Sequence, residues 1–272
     1  MAEDPSWAPP GIDTGRASIA RVYDYWLGGN HNFQVDRDAA RSLIAVNPDA
    51  RGFARENRAF LARAVRLMAA DGVRQFLDIG SGIPTQGNVH EIAQAAIDGA
   101  RVVYADIDPV AVAHGKAILA GDNASAVIPA DLRDPGKILA SPEVAGLIDF
   151  TEPVGLLLGS VLHFISDDED PWQIVSALSA RLTAGSYLVI SHFTSEGRSA
   201  ELTAAFQKAY NRSVAAQGTA RSRAEIARFF DGFDLVEPGL VFPPAWRPEV
   251  AADVPPADLG NFAVLAGAGR KR

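Results

Sequence analysis

Residues 76–93, FLDIGSGIPTQGNVHEIA, decide how this chain reads. An apolar run ends at Asp78, a Gly-x-Gly turn follows at Gly80 and Gly82, and a helical pattern begins a few residues later. In an open α/β sheet, ligands bind beyond the carboxyl ends of the strands, where such turns lie. Glycine lets the backbone come close to a ligand, and the helix N-terminus that follows favours negative charge. A Gly-x-Gly by itself is also an ordinary tight turn, so its surroundings have to discriminate.

Outward from this stretch the same alternation repeats. RVVYADI (101–107), SAVIPAD (125–131), the apolar part of PVGLLLGSVLHFI (153–165) and GSYLVISHF (185–193) read as strands. FDLVEPGLVF (233–242) and NFAVLAGAG (261–269) add two more. Between them lie helical patterns at 87–97, 108–120 and 170–182, the last two opening on Asp108-Pro109 and Asp170-Pro171, an N-cap acid with proline in the first turn. Residues 196–217 read as helical, and Ser222 with Glu225 forms a capping box. Near-continuous apolar strands alternating with helices predict a mostly parallel sheet covered on both faces. The expectation is a doubly wound, seven-stranded α/β fold.

The N-terminal part differs. Residues 1–15 are Pro-rich and acidic without periodicity and are expected to be disordered. Ile19 to about Leu43 reads as helical, broken by LGGNHNF. From Phe53 to Met68 apolar residues recur at helical spacing, with Arg55, Arg58, Arg63 and Arg66 between them, read as a solvated basic face. The expected division is residues 1–15, an N-terminal helical cap at 16–72, and a ligand-binding α/β domain at 73–272. FPPAWRPEVAADVPPADLG (242–260) is expected as a surface loop before the last strand.

Composition bounds the chemistry. The 272 residues hold 48% hydrophobic and 21% charged side chains, enough apolar material for a full core. With no cysteine, disulfides, thiolate metal sites and cysteine nucleophiles are excluded. A formal charge of -8 argues against a general nucleic-acid-binding surface. The N-terminus lacks the basic start and apolar core of a signal peptide, and no window reaches the ~18 apolar residues of a membrane span. A cytoplasmic protein without a membrane or nucleic-acid partner is expected. No G-x-S-x-G elbow and no Gly-Lys-Ser/Thr of a P-loop occurs.

Three details specify the ligand. The dinucleotide fingerprint G-x-G-x-x-G fails at its sixth position, which is Thr85, and Pro84 stands inside the turn. Asp78, two residues before Gly80, would repel a pyrophosphate and suits an ammonium group. Asp106 ends the second strand, twenty-four residues after Gly82, where a carboxylate accepts from both ribose hydroxyls. Asp131 ends the third strand and is placed to accept from an adenine amino group. The ligand should therefore carry adenine, ribose and an amino group with little or no phosphate. S-adenosylmethionine fits that description.

With LDIGSG (77–82), VVYADIDP (102–109) and IPADLRDP (128–135) in this order, the chain resembles the class I methyltransferases. ARVYDYWLGGNHNFQVDRDAA (20–40), ENRAFLARAVR (56–66), LLLGSVLHFISDDEDP (156–171) and GSYLVISH (185–192) further resemble an actinobacterial S-adenosylmethionine-dependent methyltransferase family long listed as a domain of unknown function. The resemblance covers about residues 15–272. It implies a fold with an antiparallel final strand at the edge side and S-adenosylmethionine as cofactor; the function expected is methyl transfer to an unidentified small-molecule or protein acceptor, the small molecule being preferred. The cofactor set it implies is Asp78, Gly80, Ser81, Gly82, Asp106, Ile107, Asp131, Leu132 and Ser160. Arg21 joins that set as a partner for the methionine carboxylate, since a planar guanidinium matches a carboxylate.

In related methyltransferases an N-terminal extension shapes the acceptor pocket, so Tyr23, Tyr25, Trp26 and Phe33 are candidate walls, with packing of the cap as the alternative. Gly28 and Gly29 read as a hinge or a turn, the hinge being one that would serve a lid closing on substrate. His163, after the fourth strand, is a candidate general base for a hydroxyl acceptor, and His192 a candidate pocket residue. Each is weighed against a purely structural histidine. Ser166–Asp170 is read as a solvated helix cap rather than a metal loop. Two other functions stand beside methyl transfer: a catalytically silent S-adenosylmethionine-binding regulator, and an NAD-dependent oxidoreductase, disfavoured by Thr85 and Asp78.

Overall fold

The computed structural model describes residues 8–9, 12–84, 87–197, 199–214, 217–249 and 263–272. Three helices come first: α1 (Ile19–Leu27), α2 (Gln34–Val46) and α3 (Ala50–Ala70). Then follow β1 (Gln75–Ile79), α4 (Val89–Ala96), β2 (Arg101–Asp106), α5 (Pro109–Ile118), β3 (Ser125–Pro129), α6 (Pro135–Leu139), α7 (Pro142–Leu147) and β4 (Val154–Gly159). The chain closes with α8 (Pro171–Ser179), β5 (Tyr187–Phe193), α9 (Ala200–Ser213), α10 (Arg223–Ala227), β6 (Phe233–Leu235) and β7 (Val264–Lys271).

The sheet has seven strands in the order β3-β2-β1-β4-β5-β7-β6. β1 to β5 are parallel, and β7 runs antiparallel between β5 and β6. The final strand is thus antiparallel as expected, but the short β6 is the edge. The order reverses between β1 and β4, which opens a crevice at the carboxyl ends of these two strands.

Each central strand is buried on both faces, and alternation sorts its side chains into two layers. Leu77, Ile79, Val103, Ala105 and Leu156 pack with α8 residues Ile174, Val175 and Leu178. Phe76, Val102, Tyr104 and Val189 pack on the other face with α3 residues Phe60, Val65 and Met68. A third cluster joins Val22, Trp26, Leu43 and Phe53 of the N-terminal helices to Phe193 and Tyr210. Helix α3 therefore belongs to both regions: its start packs with α1 and its later turns cover the sheet.

The basic face of α3 is only half solvated. Arg55 and Arg66 are exposed, while Arg63 donates to Trp246 O (2.8 Å) and Pro243 O (2.7 Å) and Arg58 turns towards the crevice. Helices α6 and α7 were not foreseen, although each has the same start signal, Asp134-Pro135 and Ser141-Pro142. The disorder expected for residues 1–15 falls largely outside the described residues, but Ile12 and Asp13 lie against the crevice. Most of the proline-rich loop (250–262) is also outside them.

Candidate functional site

The turn after β1 is shaped by glycine. Gly80 has φ +73°, and its N–H donates to Ala105 O at 2.7 Å. A Cβ there would stand 2.4 Å from Val161, so side chains are excluded by both conformation and space. Gly82, φ +69°, donates its N–H to Asp106 Oδ2 at 2.7 Å. The other oxygen of Asp106 accepts from Asp108 N at 2.8 Å. Asp108 caps α5, accepting from Val110 N and Ala111 N, and also accepts the Ser18 hydroxyl proton. The β1 and β2 turns are thus locked together through one carboxylate. Pro84 is accommodated in the turn, and Gly87 takes the later positive φ, +71°. Thr85 lies outside the described residues.

Burial dominates the electrostatics here. Asp78 is pushed up to about 7 by burial, with Arg58 opposing and the charge of Asp106 adding to the rise. Asp106 is pushed up to about 6, again chiefly by burial, against its backbone hydrogen bonds. Two carboxyls poised near neutrality face one cavity, a setting that favours a cationic ligand.

That cavity, about 670 Å³, is bounded by the ends of β1 to β4 and by the N-terminal segment. Asp78, Gly80, Ser81, Gly82, Asp106, Ile107, Asp131, Leu132 and Ser160 all line it. Ile107 is 65% exposed, an apolar platform on its wall. Asp131 accepts from Arg133 N (2.9 Å) and Arg133 Nη1 (3.2 Å), and Arg133 Nε reaches Glu169 at 2.5 Å. Ser160 holds φ +56°, with its N–H on Ser191 O (3.0 Å) and its hydroxyl beside Ser191 Oγ (3.1 Å). Non-glycine residues at such φ concentrate at functional sites.

The N-terminal candidates divide. Arg21 lines the cavity, but its Nε pairs with Asp36 at 3.1 Å and Nη2 donates to Arg16 O at 2.6 Å. Its guanidinium lies over Phe33 at 5.1 Å. Arg21 and Phe33 thus fasten residues 13–18 to the start of α2, and Phe33 does not line the cavity. Tyr25 lies between Arg41 and Arg51 and Trp26 is buried in the N-terminal core, so neither lines it. Tyr23 is the aromatic of this segment that does. The Gly28-Gly29 segment is a tied turn rather than an open hinge. Gly28 ends α1 at φ +87°, and Asp24 Oδ2 accepts from His31 N (3.0 Å) and Asn32 Nδ2 (2.8 Å). A Cβ on Gly29 would fall 2.0 Å from the Asp24 carboxylate.

The two histidine expectations are corrected. His163 is 1% exposed, stacks on Phe193 at 3.8 Å, and is held well below the usual range by burial and by His192 and Arg221. His192 is driven down to about 3, mostly by burial. Its Nδ1 lies 2.7 Å from Phe193 O and its Nε2 2.8 Å from Arg221 Nη1. Neither lines the cavity or is placed to take a proton from an acceptor there.

Sequence reasoning missed Arg221. This buried guanidinium donates to Leu162 O (3.2 Å), Ile165 O (2.8 Å) and Asp167 (2.7 Å), clamping the loop after β4 whose residues Val161, Phe164 and Ser166 form cavity wall. Asp167 and Glu169 therefore anchor Arg221 and Arg133, while Asp170 caps α8 through Gln173 N at 3.1 Å. Asn57 and Arg58, one turn before Leu61 on the cavity side of α3, were also missed.

These residues fit S-adenosylmethionine. Acids stand at the ends of β1 and β2 and just after β3, a glycine-only approach lies beside Asp78, and an exposed apolar side chain, Ile107, follows Asp106.

The comparisons agree. A family model described as S-adenosyl methyltransferase matches residues 5–272. The chain is 41% identical to a candidate methyltransferase from Thermobifida fusca YX, covering 98% of this chain and 100% of that one, with a TM-score of 0.91. It is 36% identical to a DUF574 family protein from Streptomyces avermitilis MA-4680, covering 96% and 99%, with a TM-score of 0.90. An O-methyltransferase family protein from Burkholderia thailandensis, 12% identical with a TM-score of 0.53 over 91% of this chain and 63% of that one, shares the fold. No curated protein matches the chain. No described helix is long and apolar enough to cross a membrane. The fold, the site and the full-length family match make this chain a member of the S-adenosyl methyltransferase family, an S-adenosylmethionine-dependent enzyme.

Proposed function

We propose that the chain methylates a small molecule bound in the same cavity, on the side walled by the N-terminal segment. The observation that carries this is the shared enclosure. Strand-end acids line one wall, while Ile12, Arg16, Ser18 and Tyr23 line the other. Concave, largely preformed pockets of ~300–1,000 Å³ are the usual setting for small ligands.

When bound, S-adenosylmethionine would supply an activated methyl group on sulfonium, its S–CH3 bond breaking as the acceptor's bond to the methyl forms and S-adenosylhomocysteine leaves. The residues of the chain then have three tasks. Asp106, Ile107 and Asp131 hold the adenosine end, and Asp78 with the Gly80 turn receives the amino-acid end. Val161, Phe164 and Leu61 keep water out of the region between. Arg133 and Arg221 keep the loop after β4 in place from its two sides. Alignment of this kind accounts for a large share of a transfer reaction's acceleration.

No histidine lines the cavity among the described residues, and the Tyr23 proton is committed to Ala54 O at 3.0 Å. Glu169 is held down to about 2, chiefly by Arg133. With the cavity carboxyls Asp78, Asp106 and Asp131 assigned to the cofactor, the reading favours acceptors that attack with a ready lone pair, such as unprotonated amines or carboxylates, over alcohols. A screen of small amines, carboxylates and alcohols, read by S-adenosylhomocysteine release, tests this. Turnover confined to alcohols would overturn the acceptor class, and turnover only with macromolecules would overturn the small-molecule reading.

A further inference from the structure

Asn57 carries an unmet hydrogen bond at the cavity, and its neighbours fix which atom is left over. Tyr23 Oη lies 3.0 Å from Ala54 O, a carbonyl that only accepts, so the single phenol proton goes there. Asn57 Nδ2 lies 3.0 Å from Tyr23 Oη and donates to it. The reversed amide would set Oδ1 against an oxygen with no proton left to give. Asn57 Oδ1 is the remaining atom, and it is buried without a hydrogen-bond partner among the described residues. Asn57 is 2% exposed and lines the cavity with Tyr23 and Arg58. Buried polar atoms in native proteins nearly always find partners. An amide held with its oxygen unpaired at a ligand cavity calls for a donor on the ligand.

Position narrows the donor. Leu61, one turn after Asn57, packs 2.9 Å from where a Cβ on Gly159 would stand, at the end of β4. Arg58, whose Nη2 donates to Asn88 Oδ1 at 3.4 Å at the start of α4, lines the cavity together with Asp78 of β1. Asn57 and Arg58 thus stand over the β1–β4 switch point, whereas Asp106 and Asp131 lie at β2 and β3. Of the donors on the cofactor, the ribose hydroxyls and the adenine amine suit those two acids. The α-ammonium, which has a carboxylate beside it, suits the β1–β4 side.

We infer that Asn57 Oδ1 accepts an N–H from the α-ammonium of S-adenosylmethionine, with Arg58 beside it facing the α-carboxylate. Tyr23 is the positioning residue that holds the amide. The inference rests on the cavity being the cofactor site. It makes α1 and α3 part of the cofactor site as well as the acceptor wall, and it gives Arg58 the carboxylate contact expected of Arg21.

Calorimetric titration of the full chain with S-adenosylhomocysteine and with 5′-methylthioadenosine, which lacks the amino-acid end, tests it. Asn57→Ala should weaken S-adenosylhomocysteine about tenfold or more, the loss expected for a hydrogen bond to a charged group, and leave 5′-methylthioadenosine at the wild-type affinity. Tyr23→Phe, which keeps the ring packing should Asn57→Ala fail to fold, should weaken S-adenosylhomocysteine selectively by a smaller factor. Equal weakening of both probes, or no change in either, would overturn the inference. Wild-type protein that binds neither probe would instead overturn the cofactor site on which it rests.

Discussion

A Cβ on Gly80 would stand 2.4 Å from Cγ2 of Val161, so the loop after β4 closes directly onto the turn after β1. The two elements that flank the switch point are therefore fitted to one another at a position where only glycine is accommodated. Gly80→Ala must strain a backbone at φ +73° and displace Val161. The left-handed conformation costs an L-residue about 1–2 kcal/mol and overpacking typically a further 1–3 kcal/mol. Urea unfolding should show a loss in that range, and S-adenosylhomocysteine affinity should fall with it. A variant with wild-type midpoint and affinity would contradict the fit.

Arg221 and Arg41 make a contrast in what an ion pair contributes. Arg221 is buried and holds Leu162 O, Ile165 O, His192 and Asp167, whereas the Arg41–Asp38 pair is more than half exposed on both sides. Asp167 is itself 59% exposed, so the cost of losing Arg221 comes from stranding the buried acceptors Leu162 O and Ile165 O, at about 1–3 kcal/mol each, while exposed pairs are worth about 0–1 kcal/mol. Arg221→Met should cut unfolding free energy accordingly and Arg41→Met barely change it. Similar losses for both would contradict the assignment.

Asp78 and Asp106 set a pH dependence whose sign follows from burial. Folding raises them to about 7 and about 6, so between about pH 4 and 7 the folded chain binds more protons than the unfolded one, and their contribution to stability falls as pH rises. His163 and His192, held neutral when folded, act oppositely: their contribution declines as pH falls below about 6.5, and that of His192 is lost as pH falls through about 3. Proton release on binding separates the carboxyls from this mixture. A cationic cofactor favours both carboxylates, so binding at about pH 6.5 should expel protons. Calorimetry in two buffers of different ionisation enthalpy should show release, reduced in Asp78→Asn. Buffer-independent heats would contradict it.

How much of this was legible in the sequence follows from the range of the interactions involved. The strand, acid and glycine turn at 76–82 could be read because parallel strands buried on both faces leave unbroken apolar runs. Local hydrogen bonds write themselves into adjacent residues, as in Asp108-Pro109 and the Ser222/Glu225 box. The tied turn at Asp24 and Gly29 is equally local, but it looks like a hinge until the carboxylate is placed.

What could not be read depends on distant partners or on helical phase. Arg21 offers a guanidinium for a carboxylate, but the carboxylate it meets is Asp36, across the turn into α2. Four aromatics lie close together in 23–33, and only the packing of α1 on α3 decides that Tyr23 faces the cavity while Trp26 fills the core. His163 follows β4 and His192 lies near the end of β5, which is why the sequence offers them as candidates. Arg221, distant in sequence, buries them in a structural network. That long-range contact leaves no local pattern.

The most direct measurement is parallel calorimetric titration of wild type and Asp106→Ala with S-adenosylmethionine, S-adenosylhomocysteine and NAD. The first two should bind with micromolar affinity, weakened in the variant by about 1.5–3 kcal/mol, with little or no binding of NAD. Absence of binding by either S-adenosyl compound, preference for NAD, or an Asp106→Ala protein that binds as tightly as wild type would contradict the cofactor site described above.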